Sequence, residues 1–502
     1  MRAFLMTGFL MTTTWKCDLC GYVHNGTEAP QSCPVCGAET NHFSALEIQT
    51  SAAQETVTEA WQCSICDHIE QGSSPPNFCP ICGAAAALFH PYVAPETSAK
   101  TANIEKLVIL GAGIAGMTAA EEARRQAGTV EITLVSREMT LPYYRLNLTR
   151  FLAGEVEEDD LFIQHQEWFD AQKITYLPGE AQSIDRDARI ITLRDSKQLD
   201  YDRLIMANGA HPFIPPIPGA NRDGVMVLRT LEHARKMISN LSPGCRAVCI
   251  GGGLLGLETA WALQRRGAEV TVLEGFDWLL PRQLPPAAAA LLFAHLEEQQ
   301  MTIKCGVQIQ EFTGDETVHG VLLEDGTEIP ADLVILATGV RPNSHLARQC
   351  GLKVKQGVVV NDQLFTSDKH ILAAGDVSEH QGKVYGIWPA SYAQGLVAGA
   401  SAVGASGEFP GLPMTNRIKV LDVDLFSIGQ IQAIDASTRL LEVEDNGSYR
   451  GLACHDGQIV GAVLYGDMQL TGLLQSAVEQ GRRVQEVPEL WEHFPSLQQM
   501  AG

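Results

Sequence analysis

Eight cysteines near the start of the chain have the spacing of metal ligands. They form two copies of one pattern of paired Cys-x2-Cys turns: Cys17, Cys20, Cys33 and Cys36, then Cys63, Cys66, Cys79 and Cys82. A Cys-x2-Cys pair places two sulfurs on one tight turn. Two such turns facing each other make a tetrahedral four-sulfur cage that suits zinc or a single iron. The pattern therefore predicts two mononuclear metal sites.

The residues around these cysteines favour iron over zinc. Residues 15–37 resemble the short rubredoxin-like domain of rubrerythrins, and residues 61–83 repeat them. In that family the cage holds one iron that cycles between the ferric and ferrous states. Two structural zinc ribbons are the alternative, because zinc accepts the same thiolate geometry. The copies differ where Gly21 is replaced by Asp67, and the extra charge is expected to shift the potential of the second site.

A glycine-rich turn links a predicted strand to a predicted helix after the cysteine repeats. Gly111, Gly113 and Gly116 follow Ile104–Leu110, which is typical of a buried strand, and precede a helical stretch from Met117 to Ala127. In this context the glycines allow a tight turn, close approach of the backbone to a pyrophosphate, and close packing of helix on strand. The motif predicts a dinucleotide site.

The same construction recurs further along the chain. Gly251, Gly253 and Gly256 follow the strand-like run Ala247–Ile250 and open a helix predicted to extend through Arg266. A single match to this motif is weak, but two matches in the correct context imply two dinucleotides.

An acidic residue at the end of the following strand would bind the adenosine ribose. Glu274 ends the second such strand, and a carboxylate there accepts hydrogen bonds from the ribose diol and repels a 2′-phosphate. NADH is therefore expected in preference to NADPH. In the first unit Ser136 stands at the matching position, so the ribose role is assigned to Glu138, two residues on.

From Asn103 to about Gly404 the chain resembles the FAD- and NAD(P)-dependent pyridine nucleotide-disulfide reductase superfamily. The matching segments are the two glycine motifs, Leu204–Gly209, Val334–Gly339 and Ile371–Asp376. The resemblance implies that Gly209 and Gly339 belong to the cofactor sites and that Asp376 binds the flavin ribityl chain. It also implies that the NAD domain is inserted within the FAD domain.

Within that superfamily the segment from Pro142 to Gly154 resembles the branch of NADH:rubredoxin oxidoreductases and nitrite-reductase large subunits. The resemblance implies that Arg145 lies along FAD. It places Arg150 where the family often has a Lys near the isoalloxazine. It also gives Glu258 and Trp388 catalytic-site positions, at the nicotinamide carboxamide and over the flavin. A carboxylate near a helix N-terminus and an ordinary core aromatic are the structural alternatives for these two residues.

The disulfide chemistry of the superfamily is not expected in this chain. No cysteine pair follows the first glycine motif, and the remaining cysteines are scattered: Cys245, Cys249, Cys305, Cys350 and Cys454. Cys245 and Cys249 lie on a strand approach, where they are best explained as core filling.

Composition restricts the class of protein. The chain of 502 residues is 45% apolar and has a net charge of −23, from 36 basic and 59 acidic residues. Such an acidic balance disfavours nucleic acid and anionic membranes as partners. No apolar run approaches the ~20 residues needed to span a bilayer, and no export signal is recognised, so we expect a cytoplasmic protein. Met11 is an alternative start of the chain.

We therefore predict an α/β protein with two Rossmann-like dinucleotide-binding domains, the NAD domain inserted in the FAD domain. Two small rubredoxin-like metal ribbons precede them and a small α+β domain follows. The predicted domains are residues 12–48 and 58–92 for the ribbons, 103–220 and 341–405 for the FAD domain, 221–340 for the NAD domain, and 406–502 for the C-terminal domain. Residues 91–103 are a predicted tether.

The predicted function is electron transfer from NADH through FAD to the iron sites of the same chain, and on to a downstream acceptor. Flavin is needed because NADH gives two electrons together and a mononuclear iron accepts one. A flavodiiron protein, a rubrerythrin or a separate rubredoxin are candidate acceptors, and a homodimer is left open. The alternative is an NADH oxidase or nitrite-reductase-like flavoprotein whose N-terminal zinc modules dock a partner.

Overall fold

The structure is a computed structural model. It describes residues 13–17, 23–26, 43–45, 60–63, 69–76, 86, 89–91, 104–412, 415–420, 423–433 and 435–497. The chain divides into two compact units, Met1–Glu59 and Ala60–Gly502.

Each cysteine-rich repeat contains a three-stranded antiparallel sheet. The strands are β1 Thr13–Cys17, β2 Val23–Gly26 and β3 Phe43–Ala45 in the first repeat, and β4 Ala60–Cys63, β5 Ile69–Gln71 and β6 Phe89–Pro91 in the second. The strand orders are β2-β1-β3 and β5-β4-β6. The registers also correspond, since Trp15 pairs with His24 and Trp61 pairs with Glu70. The sequence repeat is therefore a structural repeat in its strands.

The predicted metal ligands fall only partly within the described residues. Cys17 ends β1 and Cys63 ends β4. The residues that lie outside the described part of the chain are Cys20, Cys33, Cys36, Cys66, Cys79 and Cys82, together with Gly21 and Asp67. The geometry of both cages stays a prediction.

The remaining strands, in chain order, are β7 Lys106–Leu110, β8 Glu131–Ser136, β9 Ile174–Pro178, β10 Ala181–Asp185, β11 Ile190–Leu193, β12 Gln198–Asp200, β13 Arg203–Met206, β14 Ala210–Pro212, β15 Val225–Met226, β16 Arg246–Ile250, β17 Glu269–Leu273, β18 Thr302–Lys304, β19 Ile309–Gly314, β20 Val318–Leu323, β21 Glu328–Pro330, β22 Leu333–Leu336, β23 Val340–Pro342, β24 Val358–Val360, β25 Ile371–Ala373, β26 Ser378–His380, β27 Thr415–Val420, β28 Val423–Gly429, β29 Thr438–Asp445, β30 Ser448–His455 and β31 Gln458–Tyr465. The α-helices are α1 Ile114–Gln126, α2 Leu148–Ala153, α3 Gln166–Gln172, α4 Leu231–Asn240, α5 Leu254–Arg265, α6 Pro286–Glu298, α7 His345–Gln349, α8 Trp388–Ala402 and α9 Thr471–Glu479.

The first dinucleotide-type domain is built on a parallel sheet of order β25-β13-β7-β8-β9. Its strands are almost entirely apolar, as expected for a sheet covered on both faces. Helices α1 and α8 pack closely because Gly395 and Gly399 face α1 without side chains. A Cβ at these glycines would lie 2.7 Å from the carbonyl oxygen of Ala115 and 2.4 Å from that of Ala119.

The second dinucleotide-type domain has a parallel sheet of order β15-β22-β16-β17-β18. All of its strands lie in sequence between β13 and β25 of the first sheet. The second domain is thus an insertion in the first, as the sequence predicted. Two antiparallel sheets accompany the parallel ones: β10-β11-β12 lies in sequence between β9 and β13, and β19-β20-β21 lies between β18 and β22.

The two connections between these domains are paired with each other. β14, which leaves the first domain, and β23, which returns to it, form a two-stranded antiparallel ribbon. Two asparagines brace it at one end: the Nδ2 of Asn208 donates to the carbonyl of Asn343 at 2.7 Å, and the Nδ2 of Asn343 donates to the carbonyl of Asn208 at 2.6 Å.

The C-terminal domain is a five-stranded antiparallel sheet of order β27-β28-β31-β30-β29, with α9 packed on it. The tight β29–β30 turn is Asn446-Gly447, and both residues have positive φ, at 47° and 78°. This is the residue pair that a type I′ hairpin requires.

The predicted fold class is confirmed. The predicted helix ends were wrong by one to three residues. α1 begins at Ile114 rather than at Met117, because Gly116 belongs to the first turn of the helix, and α1 and α5 each end one residue earlier than predicted, at Gln126 and Arg265. The predicted domain boundaries stay predictions. Among the described residues, no helix combines the length and apolar character needed to cross a membrane.

Candidate active site

A cavity of about 1930 Å³ lies at the carboxyl ends of β7, β8 and β13. Ligands of open α/β sheets bind at this edge. The volume exceeds the ~300–1,000 Å³ of a typical small-molecule pocket, so it can take an extended ligand. Its far walls are formed by Glu258 on α5, Trp388 on α8 and Gln475 on α9. The cavity therefore joins parts of both dinucleotide-type domains and of the C-terminal domain.

The first glycine motif forms one end of this cavity. Gly111 has φ of +111°, and a Cβ there would lie 2.2 Å from the carbonyl oxygen of Ala207. A Cβ on Gly116 would lie 1.8 Å from the carbonyl oxygen of Gly111. α1 starts after Gly113 with no side-chain cap, which leaves its first N–H groups open to an anion. These features fit the pyrophosphate of a dinucleotide.

The second glycine motif repeats this geometry. Gly251 has φ of +108°, and a Cβ on Gly256 would lie 1.9 Å from the carbonyl oxygen of Gly251. α5 starts after Gly253, again with no side-chain cap. This turn and Gly339 lie outside the lining of the large cavity, although Leu254 and Glu258 of the same helix line it.

Glu138 belongs to a compact polar cluster in the cavity wall. It accepts hydrogen bonds from the hydroxyl of Tyr143 at 2.5 Å and from Nη2 of Arg145 at 2.6 Å. The Nη1 of Arg145 also lies 3.0 Å from the hydroxyl of Tyr143. Burial raises the pKa of Tyr143, so its hydroxyl keeps its proton. The structure thus brings Glu138 and Arg145 together, near the end of β8 where a ribose would bind.

Glu274 directly follows β17 and is 7% exposed. Its carboxylate accepts hydrogen bonds from the backbone N–H of Gly252 at 2.6 Å and of Phe276 at 2.9 Å. Each carboxylate oxygen has a second lone pair, with which it could also accept from a ribose hydroxyl. Glu274 therefore both fixes the glycine turn and can accept from a diol.

Asp376 lines the cavity beside Gly209 and has a partner that sequence reasoning missed. The Nη2 of Arg229 lies 3.4 Å from the Asp376 carboxylate. Burial lowers the pKa of Arg229, and the charge of Arg145 adds to this effect. Arg229 carries no motif, and it stands far from Asp376 in sequence, so no local signal could have identified it.

Glu258 and Thr149 meet where α5 packs against α2. The Oγ1 of Thr149 donates a hydrogen bond to Oε2 of Glu258 at 3.1 Å. Burial raises the pKa of Glu258 to about 7. Arg150 points elsewhere: its Nε lies 3.6 Å from Glu155, and its side chain is 49% exposed. Trp388 begins α8 and stacks on Tyr392, with 5.3 Å between ring centroids and 12° between planes.

Among the described residues, the cysteines outside the metal motifs form no disulfide. Cys249 is completely buried in β16, and burial raises its pKa to about 12. Burial also raises the pKa of Cys454 to about 11.

We expect Cys249 to be inert in the folded protein. Alkylation needs the thiolate, which is almost absent at pH 8 when the pKa is this high. Iodoacetamide should label Cys249 only after unfolding in urea, as read by mass spectrometry, and Cys249→Ala should leave NADH turnover unchanged. Rapid labelling of the native protein accompanied by loss of turnover would show that this thiol takes part.

Family models match most of the chain. The model described as "Pyridine nucleotide-disulphide oxidoreductase" matches residues 105–395, and "Rubredoxin NAD+ reductase C-terminal domain" matches residues 413–482. "Rubrerythrin, rubredoxin-like domain" matches residues 15–44 and again residues 61–90.

Two relatives match more than three quarters of the chain. Nitrite reductase [NAD(P)H] of Bacillus subtilis (strain 168) is 34% identical over 79% of this chain and 50% of that protein. NADH-rubredoxin oxidoreductase of Clostridium acetobutylicum is 29% identical over 77% of this chain and 97% of that protein. The chain thus spans about half the length of the nitrite reductase and nearly all of the rubredoxin reductase.

A solved structure is similar in fold. The crystal structure of NADH:rubredoxin oxidoreductase from Clostridium acetobutylicum matches with a TM-score of 0.66 and 28% identity, over 76% of this chain and 96% of that one.

Proposed function

Because the chain belongs to the pyridine nucleotide-disulphide oxidoreductase family, we propose that it passes electrons from NADH through FAD to rubredoxin-type iron sites at its own N-terminus. The predicted cofactors, FAD, NADH and iron, agree with the family models. The protein is accordingly an oxidoreductase, and the proposal concerns its donor and acceptor.

One observation carries this proposal: donor and acceptor modules occur in the same chain. The reductase family model is followed by the C-terminal domain found in rubredoxin NAD+ reductases, and it is preceded by two rubredoxin-like domains. A tether between such modules raises the effective concentration of acceptor to roughly millimolar. Fusion thus replaces a bimolecular encounter with an internal one.

We assign the cofactor-binding roles from the geometry described above. FAD would lie with its pyrophosphate at α1, its ribose at Glu138 and its ribityl chain at Asp376, with Arg145 alongside. NADH would lie with its pyrophosphate at α5 and its ribose at Glu274. Bound FAD supplies the conversion between hydride transfer and single-electron transfer.

The catalytic roles belong to residues at the far wall of the cavity. Glu258 would meet the nicotinamide side of the site, and Trp388 would cover the flavin side. Arg150 is half exposed and directed to Glu155, so we expect it to affect the flavin less than Trp388 does. Gly209 and Gly339 would provide close backbone approach at the two cofactors.

The proposal is tested by stopped-flow reduction of the full chain with NADH under anaerobic conditions. Flavin and iron absorbance should both bleach, with iron reducing no faster than flavin, and metal analysis should give about two irons per chain. Zinc in both sites, or iron that stays ferric during turnover, would contradict the relay.

Double cysteine variants separate the two cages. Replacing Cys33 and Cys36 by Ser should remove the first iron, and replacing Cys79 and Cys82 the second, while NADH still reduces the flavin. We expect unequal effects on the iron reduction rate, because Gly21 and Asp67 place different charge beside the sulfurs. Equal effects would mean that this difference does not control the sites.

A second candidate is an NADH oxidase or nitrite-reductase-like flavoprotein with zinc docking modules. It is supported by the similarity to the Bacillus nitrite reductase. The same metal analysis separates the two candidates. A downstream flavodiiron protein, rubrerythrin or separate rubredoxin, a homodimeric assembly and a cytoplasmic location are further proposals that rest on the sequence.

A further inference from the structure

Glu258 is a carboxyl group in the cavity wall whose described side-chain partner is neutral. Its Oε2 accepts from the Thr149 hydroxyl at 3.1 Å, and Thr149 is itself buried, at 7% exposed. No described Lys, Arg or His forms an ion pair with it. The hydroxyl therefore sets the position of the carboxyl without supplying a compensating charge.

The adjacent cation is held away from Glu258. Arg150 follows Thr149 on α2, but its Nε is directed to Glu155 at 3.6 Å, and Arg265 approaches the same carboxylate at 3.9 Å. A cation at hydrogen-bond distance would hold Glu258 ionised at neutral pH. With no described cation at hydrogen-bond distance, burial raises the pKa of Glu258 to about 7.

Other charged groups line the same cavity or lie on elements packed against α5. Those in the cavity lining include Arg150 and Glu155 on α2 and the turn after it, His233 on α4, Asp376 after β25, Glu479 on α9, and the cluster of Glu138, Arg145 and Arg229. β27, which also packs on α5, carries Arg417 and Lys419. Among the described contacts, only the hydroxyl of Thr149 reaches the Glu258 carboxyl.

The proposed electron relay leaves one proton in the cavity at each turnover. NADH loses a hydride, which is two electrons and one proton, and each ferric site accepts one electron and no proton. The balance is NADH + 2 Fe(III) → NAD⁺ + 2 Fe(II) + H⁺. A group in the wall that is partly ionised at neutral pH can accept this proton and release it to water.

We propose that Glu258 carries this proton out of the cavity and that Thr149 is the positioning residue that holds its carboxyl for the transfer. This inference rests on the proposed function, because an acceptor that took protons with its electrons would leave no excess proton. The Oε atoms of Glu258 accept the proton, and the Thr149 hydroxyl stabilises the ionised form between transfers.

The test follows the protonated Glu258 carboxyl by infrared difference spectroscopy against Glu258→Gln. The FAD-loaded full chain is titrated from pH 5 to 9 without NADH, so no turnover is involved. Wild type should titrate near pH 7. Thr149→Val should move the midpoint up by roughly one pH unit, because one hydrogen bond to the ionised form is lost. Thr149→Ser should restore it.

Thr259→Val is the matched control. Thr259 is a buried neighbour on the same helix, and its hydroxyl donates to the carbonyl of Leu255 instead of to Glu258. This variant should leave the midpoint near pH 7. A wild-type midpoint near that of a free Glu, or the same midpoint in Thr149→Val as in wild type, would overturn the inference.

Turnover gives a second, separate reading. Glu258→Gln should slow NADH-driven iron reduction by about 100-fold, the scale of a lost acid–base group. Unchanged iron reduction in this variant would overturn the proton role. Iron that is never reduced in wild type, with the titration near pH 7 intact, would overturn the proposed function instead.

Discussion

Gly116→Ala should produce a protein without bound FAD, whereas Gly256→Ala should produce one that keeps FAD and no longer binds NADH. In each variant the new methyl would lie within 2 Å of a backbone carbonyl oxygen, at 1.8 Å from Gly111 and at 1.9 Å from Gly251. Neither backbone can move without opening the turn that would hold the pyrophosphate. Overpacking of ~3 kcal/mol or more weakens binding by at least about 100-fold.

Flavin absorbance after gel filtration measures the first variant, and isothermal titration with NAD⁺ measures the second. Dithionite should still bleach the flavin of Gly256→Ala, while NADH should not. Gly128→Ala is the control, because a Cβ there meets no atom within 4 Å and the backbone is not left-handed. The reverse pattern, with FAD lost from Gly256→Ala and kept by Gly116→Ala, would exchange the two cofactor assignments.

Glu274→Arg should reverse the cofactor preference. The substitution removes the proposed acceptor for the ribose diol and the observed acceptor for the N–H groups of Gly252 and Phe276. A loss of ~3 kcal/mol lowers kcat/KM for NADH by about 100-fold. The new guanidinium can meanwhile pair with the 2′-phosphate of NADPH.

Glu274→Gln separates these two effects. It keeps one oxygen that can accept an N–H, replaces the other oxygen with an NH2 donor, and adds no positive charge. NADH activity should therefore fall less, and NADPH activity should rise less. Steady-state kinetics with both nucleotides and a small artificial acceptor measures the ratio. If the unmutated chain used NADH and NADPH with equal efficiency, Glu274 would not be the ribose-binding residue.

Features governed by local sterics could be read from the sequence. Gly111 and Gly251 are glycines because φ is near +110° and a carbonyl oxygen lies close to where a Cβ would be. Since only glycine fits there, the glycine motif marks the strand, the turn and the helix in the sequence. Glu274 was found because it directly follows its strand. The insertion of the second dinucleotide-type domain in the first followed from the family resemblance.

Features that depend on distant pairing could not be read in this way. The partners Arg229 and Asp376, and Thr149 and Glu258, are separated by more than one hundred residues and meet only through tertiary packing. The direction of Arg150 was equally hidden, because Glu155 competes for its guanidinium. A motif identifies a residue type at a position, but neighbours from other elements decide where its side chain points.

The paired connections between the dinucleotide-type domains restrict how one domain can move against the other. A single covalent strand swivels about its backbone bonds, whereas β14 and β23 share a ladder that must shear before one domain can twist against the other. The reciprocal hydrogen bonds between the side-chain amides and backbone carbonyls of Asn208 and Asn343 stabilise the end of that ladder. We therefore expect this two-stranded connection to allow bending between the two domains and to resist twisting. The nicotinamide and flavin rings would then keep the same relative orientation through repeated cycles of nucleotide exchange.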